Sequence, residues 1–137
     1  MEIQRPYSHV LERLRTVGLR PTRQRLALAK LLFDSGEDRH VSAEMLHGEA
    51  LKNRMRVSLA TVYNALHQFT DAGLLREIVV DAGRSYFDTN VHSHHHMYIE
   101  DEKTLLDIAS TDIDIKAIPA APEGKKVSRV DVIIRVK

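Results

Sequence analysis

Apolar residues recur three and four positions apart through the first 73 residues, a spacing typical of amphipathic helices. Thr22, Ser42 and Ser58 each precede such a segment, where a short hydroxyl side chain can cap the first turn. Gly18 and Gly73 end the first and the last segment. The pattern predicts four short helices, and their expected buried positions are Val10, Leu11, Leu14, Val17, Leu28, Leu31, Leu32, Met45, Leu46, Ala50, Val62, Leu66 and Phe69.

After Gly73 the period changes from that of a helix to that of a strand. Residues 75–80 and 84–87 are two short β-type runs on either side of residues 81–83, a tight turn that contains a glycine. Small helices closed by a hairpin are typical of a winged helix-turn-helix, in which the third and fourth helices form the helix-turn-helix pair. We assign residues 1–87 to this DNA-binding domain.

The remaining residues, 88–137, predict a small α/β domain, so that the chain as a whole belongs to the α+β class. Residues 97–101 and 105–108 can pair as strands, residues 111–118 have room for one or two helical turns, and residues 127–136 alternate as a long last strand. About 50 residues are too few to bury a satisfactory core alone. We therefore expect this domain to dimerise.

The composition is that of a folded protein, with 43% hydrophobic and 28% charged residues among 137. No apolar run is long enough to span a bilayer and no signal-peptide pattern is seen, so a cytoplasmic location is expected. The chain has no cysteine, which excludes disulfides and thiolate zinc sites.

The net charge of +1 is unevenly distributed, because residues 1–30 hold seven Arg or Lys and two acids, whereas residues 87–114 hold seven acids and one Lys. This asymmetry favours a polyanion partner at one end and a cation site further along.

Half of the eight histidines lie in the five positions 92–96. Imidazole is the commonest nitrogen ligand of metal ions, and packing alone does not require such a cluster. In an extended chain His92, His94 and His96 share one face, and His95 points to the other. The run therefore predicts a metal or haem site.

The polar side of the fourth helix is the candidate surface for reading DNA. Asn and Gln side chains can bond bidentately to adenine, which suits an A·T-rich double-stranded operator. Arg20, beside Pro21, is placed to enter a minor groove. The candidate DNA-binding residues are Arg20, Arg23, Arg25, Ser58, Thr61, Tyr63, Asn64, Gln68 and Arg84.

Four motifs, followed by the hairpin and the histidine run, occur in an order and spacing that resemble the ferric uptake regulator family. They are residues 18–25 (Gly-Leu-Arg-Pro-Thr-Arg-Gln-Arg), 40–44 (His-Val-Ser-Ala-Glu), 58–66 (Ser-Leu-Ala-Thr-Val-Tyr-Asn-Ala-Leu) and 73–74 (Gly-Leu). The resemblance is close through Asp107 and looser afterwards. It implies a homodimeric, metal-responsive repressor that is not an enzyme, with a sensor site for Fe²⁺, Mn²⁺ or Zn²⁺ at the hinge between the domains. Its ligands would be His40, Asp88, His94, His96 and Asp107.

Three departures from the family pattern change what the resemblance implies. Ile99 and Glu102 stand where a cysteine pair of a structural zinc site would be, so that zinc site is absent. Ser93 and Arg129 stand where further histidine ligands are expected, and the C-terminal segment is shorter. These losses, with the triple histidine, look most like the haem-responsive iron response regulator branch. The residues left for a second metal or haem site are His92, His95 and Asp114.

The leading hypothesis is a metal- or haem-responsive DNA-binding regulator of iron and haem homeostasis. The alternative is a peroxide-sensing repressor of the same family, in which peroxide oxidises a ligand histidine in a reaction catalysed by the bound iron. Both carboxylate positions, 88 and 107, are aspartate as in such sensors. A metallohydrolase is a third reading, since an open His/Asp site can activate water. The sequence offers no general base or substrate pocket to support the third reading.

Overall fold

Three of the four helices begin at the hydroxyl caps that the sequence predicts. The computed structural model describes residues 8–137; the first seven residues of the predicted domain 1–87, with Arg5 of its basic segment, lie outside the described part. The side-chain oxygens of Thr22, Ser42 and Ser58 each accept a hydrogen bond from the backbone N–H three residues later, at 3.1 Å. The helices are α1 (Ser8–Thr16), α2 (Arg23–Phe33), α3 (Ala43–Lys52) and α4 (Leu59–Asp71).

The helices pack around one apolar core, which confirms most of the predicted buried positions. Val10, Leu14, Leu28, Leu32, Leu46, Ala50, Val62, Leu66 and Phe69 are fully buried. Leu11, Val17 and Leu31 are only half-buried. The prediction for Met45 is wrong, because it is 47% exposed. The buried stripe of α3 consists of Ala43, Leu46 and Ala50, spaced three and four apart, and Met45 lies to one side of it.

The chain also contains a three-stranded sheet, which includes the predicted hairpin. Strands β2 (Arg76–Asp81) and β3 (Arg84–Asp88) are antiparallel and joined by a tight turn in which Gly83 has a φ of +73°. A two-residue strand, β1 (His40–Val41), pairs antiparallel with the other edge of β3 and was not predicted. The strand order is β1-β3-β2. With α3 and α4 packed against each other, this hairpin is the wing of a winged helix-turn-helix, as predicted.

The second sheet is built from the histidine-bearing strand and two neighbours. Strand β4 (His95–Ile99) pairs antiparallel with β5 (Thr104–Ile108) and parallel with β6 (Ile133–Val136), so that β4 is central. The predicted long last strand over residues 127–136 is wrong in length. Only residues 133–136 pair with β4, because β4 is itself five residues long. The helical turns predicted over 111–118 are reduced to one 3₁₀ turn, Ser110–Asp112.

The chain divides into two units, the first ending at Val91 and the second running from His92 to Lys137. The helices, the first sheet and the large core belong to the first unit. The second unit contains the sheet β5-β4-β6 and the long segment between β5 and β6. None of the helices within residues 8–137 is long and apolar enough to cross a membrane.

Candidate metal centre

Three of the predicted ligands meet on one face of the second sheet. His96 in β4 lies directly opposite Asp107 in β5, and His94 lies just before β4 on the same side as His96. The rings of His94 and His96 have centroids 4.5 Å apart. The Nε2 atoms of His94 and His96 lie 3.4 and 3.3 Å from the same oxygen, Oδ1 of Asp107. Strand pairing therefore brings these three ligand atoms together.

The hydrogen bond of His94 fixes which of its ring nitrogens can bind a cation. Its Nδ1 lies 2.7 Å from the backbone carbonyl of His92, and a carbonyl can only accept, so Nδ1–H donates. In the neutral ring Nε2 is then an acceptor, and it faces the Asp107 carboxylate, which is also an acceptor. Two acceptors at this distance repel unless a positive charge, either a proton or a metal ion, lies between them.

The spacing and the donor set fit a divalent first-row metal ion. Ligand atoms about 2.0–2.2 Å from an ion lie about 3.0–3.5 Å from one another, which is the separation of the two histidines from Asp107. All three ligand atoms lie within 4.8 Å of one another. The imidazoles are buried, whereas the Asp107 side chain is 47% exposed, so one side of the group is open to solvent.

The other two predicted ligands, His40 and Asp88, are neighbours in the first unit. They are directly opposite each other in the β1–β3 pairing. Asp88 is fully buried, and its Oδ1 accepts a hydrogen bond of 2.9 Å from the backbone N–H of Asn90. His40 is half-buried and packs edge-on against the ring of Tyr86. The unpredicted strand β1 is therefore what places His40 next to Asp88.

The residues predicted for a second metal or haem site do not come together. His92 is exposed, and Asp114 is exposed with its carboxylate 4.0 Å from Lys116 Nζ. His95 is buried, and its Nδ1 accepts a hydrogen bond of 3.2 Å from the backbone N–H of Val132. Within residues 8–137 these three side chains do not form a group of ligand atoms close enough to share an ion. His95 instead attaches the segment that leads into β6.

Two of the predicted DNA-binding side chains are already bonded to each other. The Arg25 guanidinium donates to Gln68 Oε1 from Nε (3.2 Å) and Nη2 (2.9 Å), and to the Arg20 carbonyl from Nη1 (2.8 Å). Bidentate pairing with adenine needs the amide oxygen as well as the amide nitrogen. Gln68 does not offer that oxygen while Arg25 holds it, whereas Asn64 is exposed on the same helix.

Three hydroxyl side chains, those of Ser58, Thr61 and Tyr63, lie at the start of the recognition helix α4, and one of them caps the helix. Ser58 Oγ caps the helix and lies 2.9 Å from Thr61 Oγ1. The Tyr63 hydroxyl donates a long hydrogen bond of 3.4 Å to Glu44. Partial burial raises the pKa of Tyr63 above its ordinary value of 10.0, and the Glu44 carboxylate adds to the rise. Tyr63 therefore acts as a hydrogen-bond donor at neutral pH.

Three of the four arginines predicted to contact DNA are exposed, and two further exposed arginines, which the sequence analysis did not include, lie near the start of α4. Arg20, Arg23 and Arg84 are exposed. Arg54 and Arg56 are also exposed, in the connection between α3 and α4, where Arg54 has a φ of +61°. The signal for them was available in the sequence, since two arginines stand in the predicted turn of a helix-turn-helix.

A winged helix in one unit and a mixed His/Asp group in the other define a metal-responsive regulator of transcription. The chain belongs to the ferric uptake regulator family, whose model matches residues 16–135. Members of this family are transcription regulators and not enzymes.

Individual relatives and solved structures agree with this assignment. The chain is 39% identical over 82 residues, 60% of its length, to a ferric uptake regulation protein of Cupriavidus metallidurans, of which it covers only 57%. It is 36% identical over 102 residues, 74% of its length, to that of Pseudomonas fluorescens, of which it covers 82%. It is 34% identical over 87 residues, 64% of its length and 57% of the relative's, to a peroxide-responsive repressor of Staphylococcus aureus. The manganese-bound ferric uptake regulator of Pseudomonas aeruginosa superposes with a TM-score of 0.68 at 28% identity, covering 92% of this chain and 95% of that one.

Proposed function

We propose that this chain is a homodimeric DNA-binding repressor that responds to a divalent metal ion and controls genes of iron and haem homeostasis. The observation that carries the proposal is the arrangement of His94, His96 and Asp107, in which two buried ring nitrogens converge on one carboxylate oxygen. His40 and Asp88 complete the proposed ligand set from the first unit.

The donor atoms restrict which ion the site takes. Two or three imidazoles and two carboxylates suit Fe²⁺, Mn²⁺ and Zn²⁺, and the absence of cysteine leaves no thiolate to favour zinc. Structural relatives include a manganese-bound protein, as stated above. We propose Fe²⁺, Mn²⁺ or Zn²⁺ as the ligand.

The proposed response rests on where the ligands sit in each unit. In this proposal His40 and Asp88 of the first unit and His94, His96 and Asp107 of the second would hold the ion and share its positive charge. His40 and Asp88 belong to the sheet that also carries the wing, so their engagement restricts the orientation of the helix-turn-helix. A restricted orientation favours the dimer geometry in which two recognition helices fit two half-sites of a symmetric operator.

The exposed face of the second sheet supports a homodimer. Leu106, Met97 and Ile134 are directly aligned across β5, β4 and β6. Leu106 and Ile134 are 44% and 39% exposed. An apolar row of this kind in water is typical of a surface that another chain covers, and a second copy supplies the same row.

For the DNA complex we propose an A·T-rich operator read by Asn64 and contacted on its phosphates by the exposed arginines. Asn64 has the amide geometry for adenine, and Arg20 is placed to enter a minor groove. Arg23, Arg54, Arg56 and Arg84 are the phosphate contacts of this proposal. Several such contacts produce a steep loss of affinity with salt.

Peroxide sensing is a second candidate function. The relative from Staphylococcus aureus is a peroxide-responsive repressor, and both proposed carboxylate ligands in this chain are aspartate. It predicts a gain of one oxygen atom on His40, His94 or His96 after exposure to Fe²⁺ and peroxide. Unchanged masses of the peptides carrying these histidines would eliminate it.

Haem is the weaker candidate ligand, although the triple histidine resembles the haem-responsive branch. His94 and His96 are buried against the sheet, and His95 Nδ1 holds Val132. If the protein binds haem, the haem-loaded form should show a Soret band, and His94→Ala, His95→Ala or His96→Ala should weaken it.

One experiment tests the proposed function. Gel shifts on native promoter DNA compare the apo, manganese-loaded and haem-loaded protein, with a Soret spectrum recorded alongside. We expect manganese to change the operator affinity and His96→Ala to abolish that change without unfolding the protein. The proposal would be contradicted if all three forms bound promoter DNA and random DNA with the same affinity.

A further inference from the structure

Arg39, next to the His40–Asp88 pair, donates three hydrogen bonds from its side chain. Its guanidinium donates to both carboxylate oxygens of Glu49 in α3, from Nη1 to Oε1 at 2.9 Å and from Nη2 to Oε2 at 2.6 Å. Nη1 also donates to the Leu31 carbonyl in α2 at 3.1 Å. Both charged side chains are only about one-third exposed. A bidentate pair of this kind fixes geometry as well as distance.

The backbone of Arg39 extends the pairing of the two ligand strands. Its N–H donates to Thr89 Oγ1 at 2.9 Å, and its carbonyl accepts from the Thr89 N–H at 2.9 Å. The next pair along is His40 with Asp88. Residue 39 is therefore bonded to α3 through its side chain and to the end of β3 through its backbone.

The contacts continue from α3 to the start of the recognition helix. His47, two residues before Glu49 in α3, has its Nε2 2.9 Å from the Val57 carbonyl. A carbonyl only accepts, so this nitrogen donates. Val57 immediately precedes Ser58, the N-cap of α4. Helix α3 is therefore hydrogen-bonded to the residue that precedes the N-cap of α4.

We propose that Arg39 is a positioning residue that transmits ligand binding at His40 and Asp88 to α3, and through α3 to α4. The inference rests on the proposed function, because it needs a cation at that pair. It adds Arg39 and Glu49, neither of which is a proposed ligand, as the residues that couple the site to the helix-turn-helix. We call this pair the Arg39 clamp.

Hydrogen exchange on the full chain, with and without Mn²⁺, tests the inference. In the wild type we expect Mn²⁺ to slow exchange in residues 39–41, in residues 94–96 and in α3. In Arg39→Met and in Glu49→Gln the first two segments keep this protection and α3 loses it. Arg129→Met is the matched control, because Arg129 also bonds a carboxylate, that of Asp131 at 2.9 Å, but in the second unit. It retains the wild-type pattern.

A second readout is the ratio of DNA affinities with and without Mn²⁺, measured on a duplex selected from random sequence with the manganese-loaded protein. We expect either clamp variant to reduce this ratio about tenfold, within the usual range of coupling between two sites. The double variant reduces it no further than either single one, because both remove the same link.

The possible results separate the two proposals. If Mn²⁺ still protects α3 in both clamp variants, the clamp is structural only and the inference is overturned. If Mn²⁺ slows hydrogen exchange in no segment of the wild type, the proposed function is contradicted, and the inference that rests on it is contradicted as well. Should Arg39→Met not fold, Arg39→Lys keeps the charge but loses the bidentate fork, and the same loss of α3 protection is expected.

Discussion

The two units bury different kinds of side chain. In the first unit, all four helices contribute fully buried apolar residues, among them Leu14, Leu28, Leu46 and Phe69. In residues 92–137 the buried side chains are only Tyr98 and Leu105, together with His94, His95 and His96. A unit with more buried imidazole than buried hydrocarbon gains little from the hydrophobic effect alone. The difference indicates that the first unit is held by its core, whereas under the proposed function the second unit gains stability from a bound cation and from a second copy.

Removing core volume from the first unit should have the largest effect. Phe69→Ala empties a fully buried position, and we expect it to lower the free energy of unfolding by about 3–5 kcal/mol. Urea denaturation followed by far-UV circular dichroism measures this. The control Val79→Ala, at a wing position that is 56% exposed, should stay within about 0.5 kcal/mol of the wild type. A similar loss in both variants would contradict the conclusion that the buried core holds the first unit together.

Metal binding should be the main source of stability in the second unit. With Mn²⁺ at 100 times its dissociation constant, we expect a gain of about 2.7 kcal/mol in the wild type. His96→Ala should abolish the gain, because it deletes a ligand, whereas His9→Ala, at an exposed position of α1, should keep it. Thermal denaturation with Mn²⁺ and with a chelator gives the comparison. A shift that survives in His96→Ala contradicts the assignment of this ligand.

The exposed face of the second sheet provides the next test. Leu106→Asp places a charge in the apolar row, and we expect it to weaken the dimer by at least the 1.5–3 kcal/mol typical of burying one leucine. Sedimentation velocity over a range of concentrations reports the change. The control Leu51→Asp alters a leucine of α3 that is 53% exposed and should leave the dimer intact. Unchanged association of Leu106→Asp would exclude this face.

A helix cap in the first unit should matter less than its core. Ser42→Ala removes the hydrogen bond that the Met45 N–H donates to Ser42 Oγ and should cost about 1 kcal/mol. Ser42→Asp retains an acceptor and should recover most of the loss. Ser110→Ala, in the exposed 3₁₀ turn of the second unit, is the control with no expected cost. Chemical denaturation of the wild type and the three variants measures their free energies of unfolding. It distinguishes the loss of the helix cap from a general effect of replacing serine by alanine.

The smallest expected effect is the pH dependence contributed by Tyr63. Because folding raises the pKa of Tyr63 above 10.0, its contribution is fully present below that pH and is lost as the pH rises through the folded value. Tyr63→Phe should remove the decrease in the free energy of unfolding that ionisation of Tyr63 causes at alkaline pH. Near pH 7, where Tyr63 is not ionised, the substitution should not alter the pH dependence. Denaturation curves between pH 8 and pH 11, read against those of the wild type, provide the measurement.

The sequence predicted local features well and long-range pairing poorly. The caps Thr22, Ser42 and Ser58 were predictable because a hydroxyl side chain bonds a backbone N–H only three residues away. Strand β1 was not predictable, because two residues become a strand only when β3 pairs with them. The last strand was overestimated for the same reason, since its length is set by β4 and not by its own alternation.

The candidate site shows the same limit. The placement of His94 and His96 on one face followed from the strand period. The position of Asp107 opposite His96 did not, because the predicted pairing of residues 97–101 with 105–108 places Asp107 opposite Ile99, and the observed register is different. The bond between Arg25 and Gln68 joins residues 43 positions apart, and no local pattern indicates it. The Arg39 clamp likewise joins the segment before β1 to the middle of α3, where the sequence shows only an isolated arginine and an isolated glutamate.

The parallel partner of β4 has a consequence for how the second unit forms during synthesis. Strands β4 and β5 are joined by a short turn and can close as soon as both leave the ribosome, whereas β6 is separated from β5 by a long segment and emerges last. Until then the edge of β4 that carries the His96 N–H has no Val132 carbonyl to receive it. A chain truncated before Val132 should therefore keep the β4–β5 pairing that brings His96 opposite Asp107, and lose only the backbone bonds that β6 and Val132 make to β4.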